Sequence, residues 1–471
     1  MIQTKNIEKN VLIKVIPGER FTPFSLFRKL DARVLLESAT FGQGRGRYSI
    51  LLVKEAFSIL QNGENLFMEK GGKKLSLKTK AQDILDVLSH FARQHSGPEY
   101  DFPFPAGGIG YLSYEYSRKF DDVNLREKID SLGIPDAYFI FGHIFAIFDH
   151  YRDTITLIAL KYSEHSVNLE KTLNDIEERI HDLDFNYLNQ DRKEYTSIPL
   201  RLDSERSQFM NGVAKIKKEI IKGNLLQGVL SRRLVLRTEI PALEAYSRLR
   251  SLNPSPYMFY LNYGDFQIFG SSPELHVKVN DRKVIMRPIA GTRKRGKDKG
   301  EDEFLEHDLL SDEKELAEHL MLVDLARNDL GRICKPGSVN VSEYMGIERY
   351  SHVMHIVSQV EGTLMDGKSG LDAIRKTFPA GTVSGAPKIK AMEIIDSIER
   401  EKRSFYAGIV GYLEPDGTLD SCITIRSALK NDDLLILQAG AGIVFDSIPE
   451  KEYEETSSKL RALEKAIGVE V

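Results

Sequence analysis

Glu315 and Glu318 stand three residues apart, and Glu452 and Glu455 repeat that spacing near the end of the chain. Residues three apart share a face of an α-helix, so each pair presents two carboxylates together. Two helices meeting through such faces would offer four carboxylates to a hard divalent cation, which takes oxygen ligands and keeps waters in its shell. Magnesium is the natural candidate. The same glutamates have a plainer reading: Arg327, Lys314 or a distant arginine pairs with the first two, and the second pair sits on a solvated, highly charged helix face.

Other residue types carry chemistry singly. His355 lies in SHVMHI, three residues after His352; with no third nitrogen or thiolate ligand at suitable spacing, zinc is not indicated. It is either a satisfied core histidine or a pocket-lining general acid. Arg426 interrupts the apolar stretch CITIRSAL, where strand alternation puts it on the side of Thr424 and Ala428. It can pair across the sheet or clamp a ligand carboxylate with its guanidinium fork. Gly440 and Gly442 in QAGAGIVFD would let backbone N–H groups come close to an anion.

The elements that must position these residues follow from patterning. Asp312 with Glu315 three residues on reads as a helix start and Gly331 as its stop, and the apolar residues between them cover nearly the whole circumference. That pattern predicts a helix packed on most sides, in which a carboxylate needs a cation or donors. The terminal segment PEKEYEETSSKLRALEKAI reads as a second helix. Strands are expected at Tyr48 to Val53, Ala56 to Leu60, Ala137 to Asp149, Thr154 to Leu160, Gln227 to Arg237, Tyr257 to Asn262, Phe266 to Ser271, Leu275 to Val279, Lys283 to Pro288, Phe405 to Leu413, Leu419 to Leu429 and Leu434 to Ala439. Helices are expected at Gln82 to Arg93, Val167 to Ile180, Gln208 to Lys222 and around Ile356 to Val360. RPIAGTRKRG reads as a loop, and the polar stretch Lys161 to Arg206 as the seam between two halves. Clustered rather than alternating strands and helices point to an α+β fold with antiparallel sheets.

Composition narrows the class. The chain has 471 residues, 41% of them hydrophobic, enough for two sizeable cores. With 65 Lys+Arg against 69 Asp+Glu, it has no overall basic field for nucleic acid or an anionic membrane. Two cysteines, Cys334 and Cys422, cannot staple so long a chain and suit a reducing compartment. The first twenty residues lack the apolar core of a signal peptide and the bias of a transit peptide, and no apolar window approaches the ~20 residues needed to cross a bilayer. A cytoplasmic location without membrane contact is expected.

PIAGTRKRG, ELAEHLMLVDLARNDLGR, SHVMHIVS, PAGTVSGAPK, SCITIRSAL and QAGAGIVFDS occur in this order. Together they resemble the chorismate-utilising enzymes, specifically the anthranilate synthase component I branch, over roughly Arg206 to Ala466 and more weakly before that. The resemblance implies an α+β sandwich of two large antiparallel sheets flanked by helices. Residues 1–195 would form a regulatory half and 196–471 the chorismate-binding catalytic half. It also implies Mg²⁺-dependent amination of chorismate at ring C2 with loss of the 4-hydroxyl, then elimination of pyruvate.

Carried over residue by residue, Glu315, Glu318, Glu452 and Glu455 would hold Mg²⁺, directly or through water, against the ring carboxylate. His355 would act as acid on the departing hydroxyl. Tyr406, Arg426, Gly440 and Gly442 would bind the enolpyruvyl carboxylate, with Gly291, Thr292, Thr382 and Lys459 completing the pocket and Glu274 in SSPEL a further candidate. Related isochorismate and salicylate synthases carry a lysine where this chain has Gln227, and many aminodeoxychorismate synthases one where it has Ala290. Lacking both, the pocket suits ammonia as nucleophile. The chain has no glutaminase segment, so the resemblance implies a glutamine amidotransferase subunit (component II) as partner, in a heterotetramer. LLESA and NPSPYMFYL resemble the two halves of an L-tryptophan feedback site, with Ser38, Pro256, Tyr257 and Met258 carried over. Aminodeoxychorismate synthase and a catalytically silent tryptophan sensor are the competing readings.

Overall fold

Every residue of the strand Ala137–Asp149 is buried. Its sequence AYFIFGHIFAIFD is apolar on both faces, as a strand must be when a core lies on each side of its sheet. Phe145 and Ile147 join the larger core, while Ile144, Ala146 and Phe148 join a second one. Its antiparallel partner is Tyr48–Asn62, with register shifts around Gly142 where the pair bends. Across the bend both strands change neighbours. Tyr48–Asn62 passes from Val34–Glu37 to Asn65–Lys70, and Ala137–Asp149 from Thr154–Leu160 to Ile109–Leu112.

The computed structural model, which describes all residues except 1–3, 9, 41–43, 79–82, 183–192, 201–204, 351–352 and 471, therefore has two sheets sharing their two longest strands. The first continues from Val34–Glu37 through Tyr257–Asn262, Phe266–Ser272, Ser427–Asn431 and Leu434–Ile443 to Gln227–Thr238. The second runs from Ile109–Leu112 through Ile409–Leu413, Leu419–Ile423, Leu275–Asn280 and Lys283–Met286 to Val353–Thr363 and Asn340–Arg349. The larger core draws Phe259 and Ile268 from the first sheet and Val277 and Val360 from the second. The second core lies under helices that include Pro23–Leu30, Leu169–His181, Ala242–Leu252 and Pro449–Ile467. This is the expected α+β arrangement of antiparallel sheets flanked by helices. Strands from early and late in the chain are interleaved in both sheets.

Several elements differ from the patterning. The helix expected at Ile356 to Val360 is part of the strand Val353–Thr363, and the RPIAGTRKRG loop contains a strand, Ile289–Lys294, that pairs with it. A short apolar run does not by itself separate helix from strand. Here Val353, Ile356, Val357 and Val360 are β-branched and have strands to pair with on both sides. The charged stretch after Lys297 forms a helix, Lys299–Ser311, capped by Asp298.

The glutamate helix Glu313–Gly331 starts as expected, the Asp312 carboxylate accepting from the Lys314 and Glu315 N–H groups. It is not packed all round. His319, Leu322, Val323, Ala326 and Leu330 are buried, but Ala317 is exposed and Leu320 is 44% exposed. The helix lies on strands Ile289–Lys294 and Val353–Thr363 with one face to solvent, so its extra apolar residues are not evidence of full burial. The strand expected from Phe405 begins only at Ile409, after a turn with Ser404 and Ala407 at positive φ. Gln82 and His352, like parts of the Lys161 to Arg206 seam, lie outside the described residues.

Candidate active site

Two chain segments leave one sheet and enter the other side by side. Phe266–Ser272 is followed by Leu275–Asn280, and Leu419–Ile423 by Ser427–Asn431, each pair divided between the sheets. The continuous strand expected across CITIRSAL is thus broken at Thr424 to Arg426, where Arg426 takes φ 49°. The crossings are tied together: Ser272 Oγ donates to Ile423 O at 2.7 Å, Ile423 N to Glu274 O at 3.1 Å and Ser271 N to Arg426 O at 3.1 Å. Glu274 and Arg426 therefore both stand at the crossing, and alternation with Thr424 and Ala428 no longer decides where Arg426 points.

Glu274 is 7% exposed. Burial pushes its carboxyl up to about 7, the Thr382 hydroxyl and the Arg426 guanidinium only partly opposing this. Thr382 Oγ1, beside it, is buried and completes no hydrogen bond among the described residues. Arg426 has no ion-pair partner among the described residues, Glu274 and Tyr350 acting on it only at longer range. A desolvated, unpaired guanidinium is a binding group for a ligand carboxylate.

A bulge brings His355 within reach of the Arg426 charge. Thr292 pairs with His355, with a register shift between Ala290 and Thr292, and Gly291 between them has φ 73°, which favours glycine. The freed Gly291 carbonyl lies 3.0 Å from His355 Nδ1, as does Thr292 Oγ1. A carbonyl only accepts, so Nδ1 carries the proton and Nε2 presents a lone pair. Burial, and next the Arg426 charge, push the imidazole down to about 4. Nε2 is buried without a partner among the described residues. In the free protein His355 thus presents an acceptor at Nε2.

Each glutamate pair has a member close to the strand Leu434–Ile443: a Cβ on Gly442 would lie 3.6 Å from Glu318 Oε1, and Lys459, paired with Glu455, reaches Gly440. That strand is paired with Gln227–Thr238 along its length, but Ser427–Asn431 covers its other edge only as far as Leu437. The Arg426 turn thus leaves the edge of Gly440 and Gly442 without a strand. Gln227 Nε2 donates to Glu318 Oε1 at 2.9 Å, and a Cβ on Gly442 would come within 2.6 Å of that amide. Lys459 Nζ donates to Gly440 O at 2.9 Å and Glu455 Oε1 at 2.7 Å, and the Tyr406 hydroxyl abuts Gly440, where a Cβ would lie 2.9 Å away.

Arg293 pairs with Asp308, Asp312 and, at 3.4 Å, Glu315, so a distant arginine does reach the first pair. It does not satisfy it: burial, then the Glu318 charge, still raise the Glu315 carboxyl. Burial and the Glu455 charge likewise raise Glu452 although Ser447 opposes them. Paired carboxylates, one of each pair held up by burial and by its neighbour's charge, are a donor set that a divalent cation would satisfy. Among the described residues no three His, Cys, Asp or Glu side chains cluster closely enough to hold a metal by themselves. Two separated pairs leave coordination positions for water and substrate oxygens.

Sequence reasoning missed the groups that hold these parts. Lys388 Nζ, buried, donates to Asp329 at 2.6 Å and ties the foot of the glutamate helix to the segment after Thr382. Arg403, 1% exposed, bonds both Glu399 oxygens, Val229 O and Val383 O, while Glu115 accepts from the Arg403 and Ser404 N–H groups. That network fixes the turn carrying Tyr406. Only the unusual placement of Arg, Lys and Glu beside apolar runs could have signalled it.

Ser38, Pro256, Tyr257 and Met258 line one cavity of about 410 Å³. It opens where Val34–Glu37 pairs with Tyr257–Asn262, Met258 opposite Glu37. Tyr257 donates to Asp420 Oδ1 at 3.1 Å.

No helix among the described residues is long and apolar enough to cross a membrane. The sequence profile of the chorismate binding enzymes matches residues 34–465. Anthranilate synthase component 1 of Spirochaeta aurantia is 57% identical over 462 residues, 98% of this chain and 96% of that protein. Its counterpart from Aquifex aeolicus is 41% identical over 95% of this chain and 92% of its own length. The crystal structure of anthranilate synthase component I from Streptococcus pneumoniae TIGR4 superposes with a TM-score of 0.80 at 37% identity, covering 89% of this chain and 92% of that one. The menaquinone-specific isochorismate synthase MenF of Escherichia coli, at 20% identity and a TM-score of 0.71, shares the fold. With this likeness running nearly end to end in both sequence and fold, the chain belongs to the chorismate binding enzymes and, among them, to the anthranilate synthase component 1 family.

Proposed function

We propose that this enzyme converts chorismate and ammonia to anthranilate, pyruvate and water, with ammonia delivered by a separate glutamine amidotransferase subunit and turnover inhibited by L-tryptophan. The observation that carries the chemistry is the convergence, around the unpaired Arg426 whose charge reaches both, of a protonatable Glu274 and an acceptor at His355 Nε2. Arg426, Tyr406 and the open edge at Gly440 and Gly442 hold the enolpyruvyl carboxylate. Ammonia adds at C2 while the 4-hydroxyl leaves as water, taking the Glu274 proton. His355 Nε2 then removes the C2 proton, and the C3–O bond breaks as the ring becomes aromatic. The departing enolate takes that proton at its methylene carbon to become pyruvate, and the new ammonium returns a proton to Glu274. Thr292, bonded to His355 Nδ1, steadies the imidazole, and Thr382 lies beside Glu274. Gln227, spent on Glu318, and Ala290 supply no competing nucleophile.

Glu315, Glu318, Glu452 and Glu455 would hold Mg²⁺, which when bound neutralises the ring carboxylate and withdraws electron density from the ring. Glu315→Gln and Glu455→Gln are each expected to raise the Mg²⁺ concentration for half-maximal activity by about tenfold or more; titrations that superpose on the wild type remove the glutamates from the metal site.

A partner for glutamine hydrolysis is supported by the thiols here. Burial pushes Cys334 up to about 11 and Cys422 higher still, which suits neither to nucleophilic attack. The deciding assay supplies chorismate, Mg²⁺ and ammonium. Anthranilate fluorescence with equimolar pyruvate supports the reading, whereas an aminated product that keeps its enolpyruvyl group means aminodeoxychorismate synthase.

The tryptophan assignment rests on the cavity shared by Ser38, Pro256, Tyr257 and Met258. Ser38→Ala and Met258→Thr are expected to leave uninhibited turnover intact and raise the inhibitory tryptophan concentration by about tenfold, the equivalent of one lost polar contact. Unchanged inhibition in both would place the regulator elsewhere.

A further inference from the structure

Tyr350 stands between that cavity and His355. Its ring meets the imidazole edge-on, with centroids 5.4 Å apart and planes at 68°. Its backbone is fixed on both sides, N–H donating to Val353 O at 2.7 Å and the carbonyl accepting from Arg295 Nη1 at 2.8 Å. The hydroxyl donates to Glu348 Oε2 at 2.9 Å, and Glu348 Oε1 accepts from Arg287 Nη2 at 2.6 Å. Arg287, Glu348 and Tyr350 all line the cavity that holds Ser38 and Met258. The side chains that back the cavity thus end on the catalytic imidazole, and the partition is one ring thick.

Gly291 anchors His355 only at Nδ1, which leaves the ring plane to be set by what packs on its face and edge. We infer that Tyr350 is a positioning residue for His355, and that its Glu348–Arg287 tether is where an occupant of the cavity acts on catalysis. The second half rests on the tryptophan reading above. A zwitterionic amino acid carries a carboxylate and an ammonium group, which compete for Arg287 and Glu348 respectively. Either contact loosens the Tyr350 hydroxyl, and a difference in contacts between two arrangements is what coupling between sites requires.

Tyr350→Phe keeps the ring and removes the tether; Glu348→Gln keeps an acceptor and weakens the hold on Arg287. In steady-state assays with chorismate, Mg²⁺ and ammonium, Tyr350→Phe is expected to lower kcat by about five- to twentyfold with KM within about twofold, and Glu348→Gln to change it less in the same direction. In a His355→Ala background the Tyr350→Phe loss should vanish, since a residue acting through another has nothing left to act on. A loss that multiplies fully onto His355→Ala, or one that falls on KM instead, overturns the positioning role.

Calorimetry with L-tryptophan tests the tether. Tyr350→Phe should bind tryptophan within about threefold of the wild type, yet need about tenfold more for half-inhibition. Retained binding with unchanged inhibition overturns the tether as the route. If the wild type binds no tryptophan, the cavity assignment fails, and the kinetic arm alone decides the role of Tyr350.

Discussion

Glu274→Gln is expected to lower kcat by about 10²–10⁴-fold, the range of a lost general acid, while chorismate still binds. The amide fills the same space at the crossing of the sheets but has no proton to give. Because burial holds this carboxyl at about 7, wild-type kcat/KM should fall tenfold per pH unit above that value as the acid ionises. The variant should be flat there. A wild-type profile without a group near 7, or a variant that retains one, removes Glu274 from this role.

The same displacement makes a stability prediction of definite sign. The folded value, about 7, lies above the ordinary 4.5, so its stabilising contribution is fully present below pH 4.5 and is lost as the pH rises through 7. Glu274→Gln does not ionise and escapes that loss. At pH 8 it should be more stable than the wild type by up to roughly 3 kcal/mol, and at pH 5 by less than about 1 kcal/mol. Thermal melts at the two pH values measure this. An activity loss with a gain in stability is the signature of a group kept in a strained site for its chemistry.

His355→Ala is expected to separate the two halves of the reaction. With Nε2 as the proposed acceptor for the C2 proton, its loss should slow pyruvate release by about 10²–10⁴-fold while amination continues. Chorismate should then be consumed faster than pyruvate appears, and an aminated product retaining the enolpyruvyl group should accumulate. Because burial and Arg426 hold the ring at about 4, no histidine limb near pH 6.5 should appear in kcat/KM of the wild type. If amination and elimination fall together, His355 serves the first step, as the sequence alone had implied.

Much of this was legible before any coordinates. The capped helix at Asp312, the hairpin Ala137 to Thr154 and the pairing of Tyr257–Asn262 with Phe266–Ser272 follow from local patterning, and the structure has all three. Patterning failed where one short segment serves two sheets. CITIRSAL reads as one strand because its alternation is unbroken, yet Arg426 turns out of it. The run Ile356 to Val360 reads as a helix although its length suits helix or strand alike, and only the strands on both sides of it make it a strand.

The sequence by itself determined which groups are available: four glutamates in two helical pairs, one histidine among apolar neighbours, one arginine out of place, and the motif order that marks the family. Spacing along a helix or strand is a local property, so it survives in the sequence. Tertiary structure alone decided their states. Glu274 is held protonatable because two chain crossings bury it. His355 keeps its proton on Nδ1 because the Gly291 carbonyl, freed by a bulge, accepts from it, while burial and Arg426 keep the ring neutral. The edge at Gly440 and Gly442 is open because Arg426 turns its neighbour away. Burial, tautomer and open edges depend on what packs from distant parts of the chain, and no local pattern records that.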